Sequence, residues 1–237
     1  RVGEKTLMDI SVLRHNDRLY NKKMAGIHFL NVVRVVWLRE ILIYFRDRPR
    51  VISAFMMPIV MLILFGEGLG GIIELPGISY RQFIFPGMVA MIVLMNSIFA
   101  GVTIVTDRQF GFLREMLVAP VSRTAIAVAK ISGGATIALI NGVVLFAFAP
   151  LMGIDISFLI VVKLMGLILL VGFMLTGIGV SIGSRLRTPE SFQMLSQAII
   201  FPAMFLSGVF FPVNNTAKWL DFFVQFNPIT YAVAPIR

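Results

Sequence analysis

The chain has 237 residues, 58% of them hydrophobic and 14% charged, where soluble domains carry about 25% charge, so a soluble globular enzyme is excluded. Its net charge of +9 is front-loaded, with eleven of the 21 Lys and Arg residues in the first fifty positions. In so apolar a chain that pattern reads as contact with anionic headgroups and argues against nucleic acid as a partner. There is no cysteine, and His15 and His28 stand in no metal-ligand spacing, so disulfide, thiolate and metal chemistry have no foothold.

Residues 1–27 are polar and aperiodic and read as a cytoplasmic lead-in. From His28 to Arg46 a helical period appears, and 28–49 reads as an amphipathic helix with its stop. Leu30, Val33, Trp37, Ile41 and Tyr44 share one face, while Arg39 and Arg46 lie mostly opposite. Such a helix suits the membrane interface, the other reading being a helix packed on protein. Asp47-Arg48-Pro49 is expected to end it.

Residues 50–237 form the transmembrane domain. Spans are expected at 51–65 with Pro58 inside, 83–106, 124–149, 158–184 and 191–211. Placing the N-terminus inside puts the basic segments 1–50, 107–123 and 185–190 in the cytoplasm and leaves few basic residues outside. The segment after Phe211 has apolar stretches too short to cross, and it suits outer re-entrant helices. Five spans from an inside start leave Arg237 outside, so a sixth is expected beyond it. The expected fold is an all-α polytopic membrane protein with an N-terminal interfacial helix, five visible spans of six and outer re-entrant helices.

Between the second and third spans, Asp107 to Leu117 reads as one helix capped by Asp107. Phe110, Leu113, Met116 and Leu117 give it an apolar stripe, with Arg108, Gln109 and Glu115 on other faces. It is either a solvated loop helix or a helix that docks in a groove on a soluble partner. Within the spans the polar side chains are mild: Asn96, Ser97, Thr103, Asn141, Gln193, Ser196 and Gln197. They serve as hydrogen bonds between helices or as a substrate path, with Asn96, Thr103, Asn141, Gln193 and Gln197 the candidates. No charge is expected mid-span, which disfavours a proton relay. Gly179-Val-Ser-Ile-Gly183 is a GxxxG that would let helices approach closely. The phosphate-binding pattern GxxxxGK[ST] is absent, so ATP chemistry, if used, belongs to another polypeptide.

The stretch FIFPGMVAMIVLMNSIFAGVTIVTDRQFGFLREMLVAPVSR resembles the permease subunits of type-2 ABC exporters of drugs, lipids, sodium and polysaccharides. It carries Pro86-Gly87, an acidic-basic cluster, Gly111, Leu113 to Leu117 and Pro120-Val121-Ser122. FLSGVFFPV, then Trp219-Leu220, then NPITYAV and an Arg complete the likeness over residues 28–237. One departure is Ala234-Pro235-Ile236, where the family often has an acid before that Arg.

The resemblance implies a multi-pass subunit of the cell membrane with a cytoplasmic N-terminus. It implies pairing with a second permease copy or a paralogue and with two cytoplasmic ABC ATPases, which would bind ATP and Mg, this chain holding no cofactor. It also implies that Asp107, Arg108, Phe110, Gly111, Leu113, Arg114, Glu115 and Leu117 couple to the ATPase and that 28–46 belongs to the same surface. The expected cargo is an amphipathic drug or lipid. The alternatives are a lipid-linked polysaccharide or, in another class, a secondary transporter or channel that uses no ATP.

Overall fold

A bilayer offers no water to unpaired amides, and a helix is the one local geometry in which an uncharged apolar run satisfies its own backbone. The computed structural model describes residues 28–68, 80–118, 121–152 and 158–206, and their regular elements are all helical. In chain order these are α1 (28–46), α2 (Arg48–Gly68), α3 (Tyr80–Phe99), α4 (Val102–Gln109), α5 (Phe112–Val118), α6 (Arg123–Phe146), a 3-10 turn (Ala149–Met152), α7 (Phe158–Arg185) and α8 (Pro189–Leu206).

Among the described residues, four segments are long and apolar enough to cross a membrane: Arg48–Gly66, Gln82–Gln109, Arg123–Phe146 and Val161–Arg185. The fifth expected span corresponds to α8, whose described part opens with Glu190, Ser191 and Gln193 among its first five residues. The lead-in 1–27 and the re-entrant segment after Phe211 lie outside the described residues.

Boundaries shift for identifiable reasons. Pro49 does not stop the chain, because a proline in a helix's first turn forfeits an amide that has no partner there anyway; α2 starts at Arg48 after a one-residue bend. Glycine does not end that span at Gly66 either, and the helix runs to Gly68. At the far end of α6, Pro150 falls inside the 3-10 turn. The start of α6 is capped as its sequence allows, Ser122 accepting from the Ala125 amide at 3.1 Å.

α3 is the centre of the bundle and packs on α2, α6, α7 and α8. Residues 83–94 are buried on every side, as an all-round apolar helix should be. α2 and α8 leave wide apolar faces exposed, including Met56, Leu64, Met194 and Phe205.

The second span is broken at Ala100-Gly101, where the Gly101 amide donates to Ile98 O, three residues back. The GxxxG of α7 explains the place of the break. A Cβ on Gly101 would overlap the Gly179 carbonyl, one on Gly179 would overlap the Ile98 carbonyl, and one on Gly183 would overlap the Gly101 carbonyl. Backbone thus meets backbone along this seam, which only residues without side chains allow.

Candidate functional site

The break leaves α4 as a short rod that points the end of the second span at α1. Asp107 is therefore in the last turn of α4, buried, and not the N-cap of a helix 107–117. The expected three-turn helix is two pieces, because the span continues to Gln109 and the chain then reverses at Gly111, whose φ of 78° suits glycine. α5 starts from that turn, the Arg114 amide donating to Gly111 O at 2.9 Å.

Around Asp107 stands a network of four charges that sequence reading missed in half its members. Lys130 Nζ donates to Asp107 Oδ2 at 2.6 Å, to Glu40 Oε1 at 2.7 Å and to Thr103 Oγ1 at 3.3 Å. Arg39 grips Asp107 with both terminal nitrogens, at 2.8 and 3.3 Å, and touches Glu40 Oε1 at 3.1 Å. The side chains of Lys130, Glu40 and Asp107 are 2%, 5% and 9% exposed. Two cations and two anions balance, and every ammonium hydrogen has an acceptor, the condition under which buried charge is tolerated.

Lys130 lies within α6, toward its start, so a buried charge enters the third span although none was expected at a span's middle. It stands seven residues after Arg123, about 10 Å of helix rise, yet its ammonium turns inward to the carboxylates. The network sits near the end of α4 and the start of α6, so it joins helix ends.

α1 is fastened to α6 by the same face. Trp37 Nε1 donates to Thr136 Oγ1 at 3.0 Å, Tyr44 Oη donates to Asn141 Oδ1 at 3.0 Å, and Gly133 leaves room for Glu40 Cβ. Burial pushes the Tyr44 phenol above its ordinary range, so it remains a donor. The predicted apolar face is thus split. Tyr44 is buried with Val36 and Glu40, and Val33, Trp37 and Ile41 are half-buried, whereas Leu30 is 65% exposed. Leu30, near the start of α1, is exposed although it is in register with Trp37 and Ile41, while Val35, Leu38, Leu42 and Phe45 form the outer side, and Arg46 is exposed as well. The helix both packs on protein and presents an apolar surface outward.

The residues assigned to the loop separate by environment. Arg108 hydrogen-bonds Ser184 O at 2.6 Å and Leu186 O at 3.0 Å, closing the carbonyl end of α7. Arg39 Cζ lies 3.9 Å from the Phe112 ring centroid, which ties α5 to the charge network. Leu113 and Met116 are half-buried, Arg114 and Glu115 are exposed, and the side chain of Leu117 lies outside the described set. Phe110 and Val118, one at each end of this loop helix, are both 82% exposed. Val118 did not belong to the predicted stripe.

A cavity of about 720 Å³ opens between α1, α2, α3, α4, α5 and α8, with Phe110 and Phe112 in its wall. Asn96, Thr103 and Gln193 line it, together with Asp47, Arg50 and apolar side chains such as Met95 and Phe99. Met57, Met95 and Phe99 also border a second pocket of about 260 Å³, where, among the described residues, Gln197 is the one polar side chain beside methionines, phenylalanines and Ile200. Four of the five substrate-path candidates therefore face these two spaces. Asn141 does not; it lies under α1, bonded to Tyr44. Ser97 and Ser196 are buried, and their hydroxyls have no protein partner among the described residues.

Comparison with known proteins comes to the same place. The profile of the family described as ABC-2 type transporter matches residues 31–237. A Cyanophora paradoxa protein named as a transport permease, ycf38, is 29% identical over 215 residues, covering 85% of this chain and 72% of its own. The daunorubicin resistance ABC transporter permease protein DrrB1 of Streptomyces coeruleorubidus is 25% identical, over 79% of this chain and 67% of its own. The inner membrane transport permease YadH of Escherichia coli is 26% identical, over 86% and 81%.

Proposed function

The chain belongs to the ABC-2 type transporter family, and on that premise we propose that it is the membrane subunit of an ATP-driven exporter of amphipathic molecules. The observation that carries this reading is the exposed apolar pair Phe110, at the end of α4, and Val118, at the end of α5, flanking a short loop helix wired to a buried charge network. Exposed large apolar side chains beside a charged surface suit capture by a partner protein. A push on α5 would reach Asp107 through Phe112 and Arg39, and then α1 and α6 through Glu40 and Lys130.

In this reading the N-terminus is cytoplasmic and the permease works as a pair. Two cytoplasmic ATPases bind ATP with Mg, and the cargo enters the 720 Å³ cavity. The paired polar and Met/Phe-lined spaces favour a molecule with a polar head and an apolar body. The drug-resistance name of one relative supports a drug-like cargo over a polysaccharide.

The test uses inside-out vesicles that contain the chain with its ATP-binding subunit. A fluorescent amphipathic amine should accumulate with Mg-ATP and fail to accumulate when either that subunit or ATP is omitted. Uptake that persists without the subunit and collapses with the proton gradient would instead establish a secondary transporter.

A further inference from the structure

α2 has a feature that coupling to an ATPase leaves unused. Arg48, Pro49, Ile52, Ser53, Met56 and Val60 border an open groove of about 640 Å³ along one side of the helix. Apart from the arginine head and one hydroxyl, its walls are hydrocarbon and thioether. From residue 48 to residue 60 the helix rises about 18 Å. One leaflet contributes about half of a ~30 Å hydrocarbon core, so the groove reaches from headgroup level to the bilayer middle.

The charge at the mouth of the groove is uncompensated. Arg48 and Arg46 are exposed, and no carboxylate pairs with either among the described residues. The helix end is not the anchor, because the Arg50 amide is already taken by Asp47 Oδ1 at 3.3 Å. An apolar trough one acyl chain long, headed by an unpaired guanidinium, lacks an anionic head and a hydrocarbon tail.

We infer that this groove binds an anionic phospholipid, with its phosphate at Arg48 and one acyl chain along Ile52, Met56 and Val60. A zwitterionic lipid would bring an ammonium beside the same arginine, so the site discriminates by head charge. The inference requires only that α2 crosses the bilayer and stands whether or not an ATPase docks at α5. Ser53 and Met57 line both this groove and the large cavity, so the bound lipid forms part of that cavity's side wall.

The test is lipid retention by the purified full chain, offered an equimolar mixture of phosphatidylglycerol and phosphatidylcholine and read by native mass spectrometry. Wild type should retain phosphatidylglycerol about fivefold over phosphatidylcholine, the preference one arginine gives at an anionic surface. Arg48→Ala should abolish the preference, Arg48→Lys should keep most of it, and Met56→Trp should reduce the phosphatidylglycerol retained by filling the trough. Arg34→Ala, at another exposed arginine, should change nothing. A preference that survives Arg48→Ala, or falls equally with Arg34→Ala, overturns the site in favour of diffuse attraction. The chain has no cysteine, so Met56→Cys gives a single thiol. A disulfide between two copies in vesicles would make the groove an interface between chains and overturn the lipid; no cross-link supports it.

Discussion

Lys130→Met is expected to destabilise the folded chain by about 3–5 kcal/mol, seen as a large drop in thermal unfolding temperature in detergent. The ammonium supplies three hydrogens and three acceptors take them: Glu40, Asp107 and Thr103. Its removal leaves two carboxylates in a site from which water is largely excluded, with only Arg39 to face them. The cost comes from the stranded charge and not from the worth of the pair, which predicts a specific pattern. Glu40→Gln combined with Lys130→Met should be less damaging than the sum of the singles, by about 0.5–3 kcal/mol in a double-mutant cycle. If the two singles simply add, Glu40 and Lys130 are not in contact.

Gly179→Ala is the second large effect, for a reason unrelated to charge. The added methyl would run into the Ile98 carbonyl, and backbone cannot step aside as a side-chain tip can. Overpacking of this kind costs about 1–3 kcal/mol, and more when both walls are main chain. Gly101→Ala meets Gly179 across the same seam and should behave alike. Gly166→Ala, on the same helix with no neighbouring heavy atom within 4 Å, is the control and should be neutral or stabilising by about 0.5–1 kcal/mol. The measurement is thermal unfolding of the three variants side by side. Equal behaviour of Gly166→Ala and Gly179→Ala would mean that α7 does not touch the break in the second span.

The contrast between these two features shows what can be read from a linear sequence. The GxxxG at Gly179 and Gly183 declares itself because small residues four apart need no knowledge of their neighbour. The neighbour, a break at Ala100-Gly101, did not, since Ala-Gly within an apolar run predicts nothing by itself. The charge network was hidden more thoroughly. Glu40 beside Arg39 looks like the wet side of an amphipathic helix, and only the arrival of Lys130 from a position 90 residues away makes burial tolerable. Asp107 was misread for the converse reason, because an acid after an apolar run resembles a helix start when the helix in fact continues for two more residues. Composition and period located the helices; partners far apart in sequence decided which faces they buried.

The central claim is that the exposed ends of the α5 turn receive the ATP-binding subunit. It is tested most directly by purifying the permease with that subunit, wild type against Phe110→Asp combined with Val118→Asp. Both side chains are 82% exposed and outside the charge network, so the variant chain should fold and melt like wild type. Burying two new carboxylates in an apolar contact should lower the co-purified subunit at least about tenfold, with coupled ATPase activity falling in step. Full retention of the subunit and of coupled activity in that doubly charged variant would contradict the account.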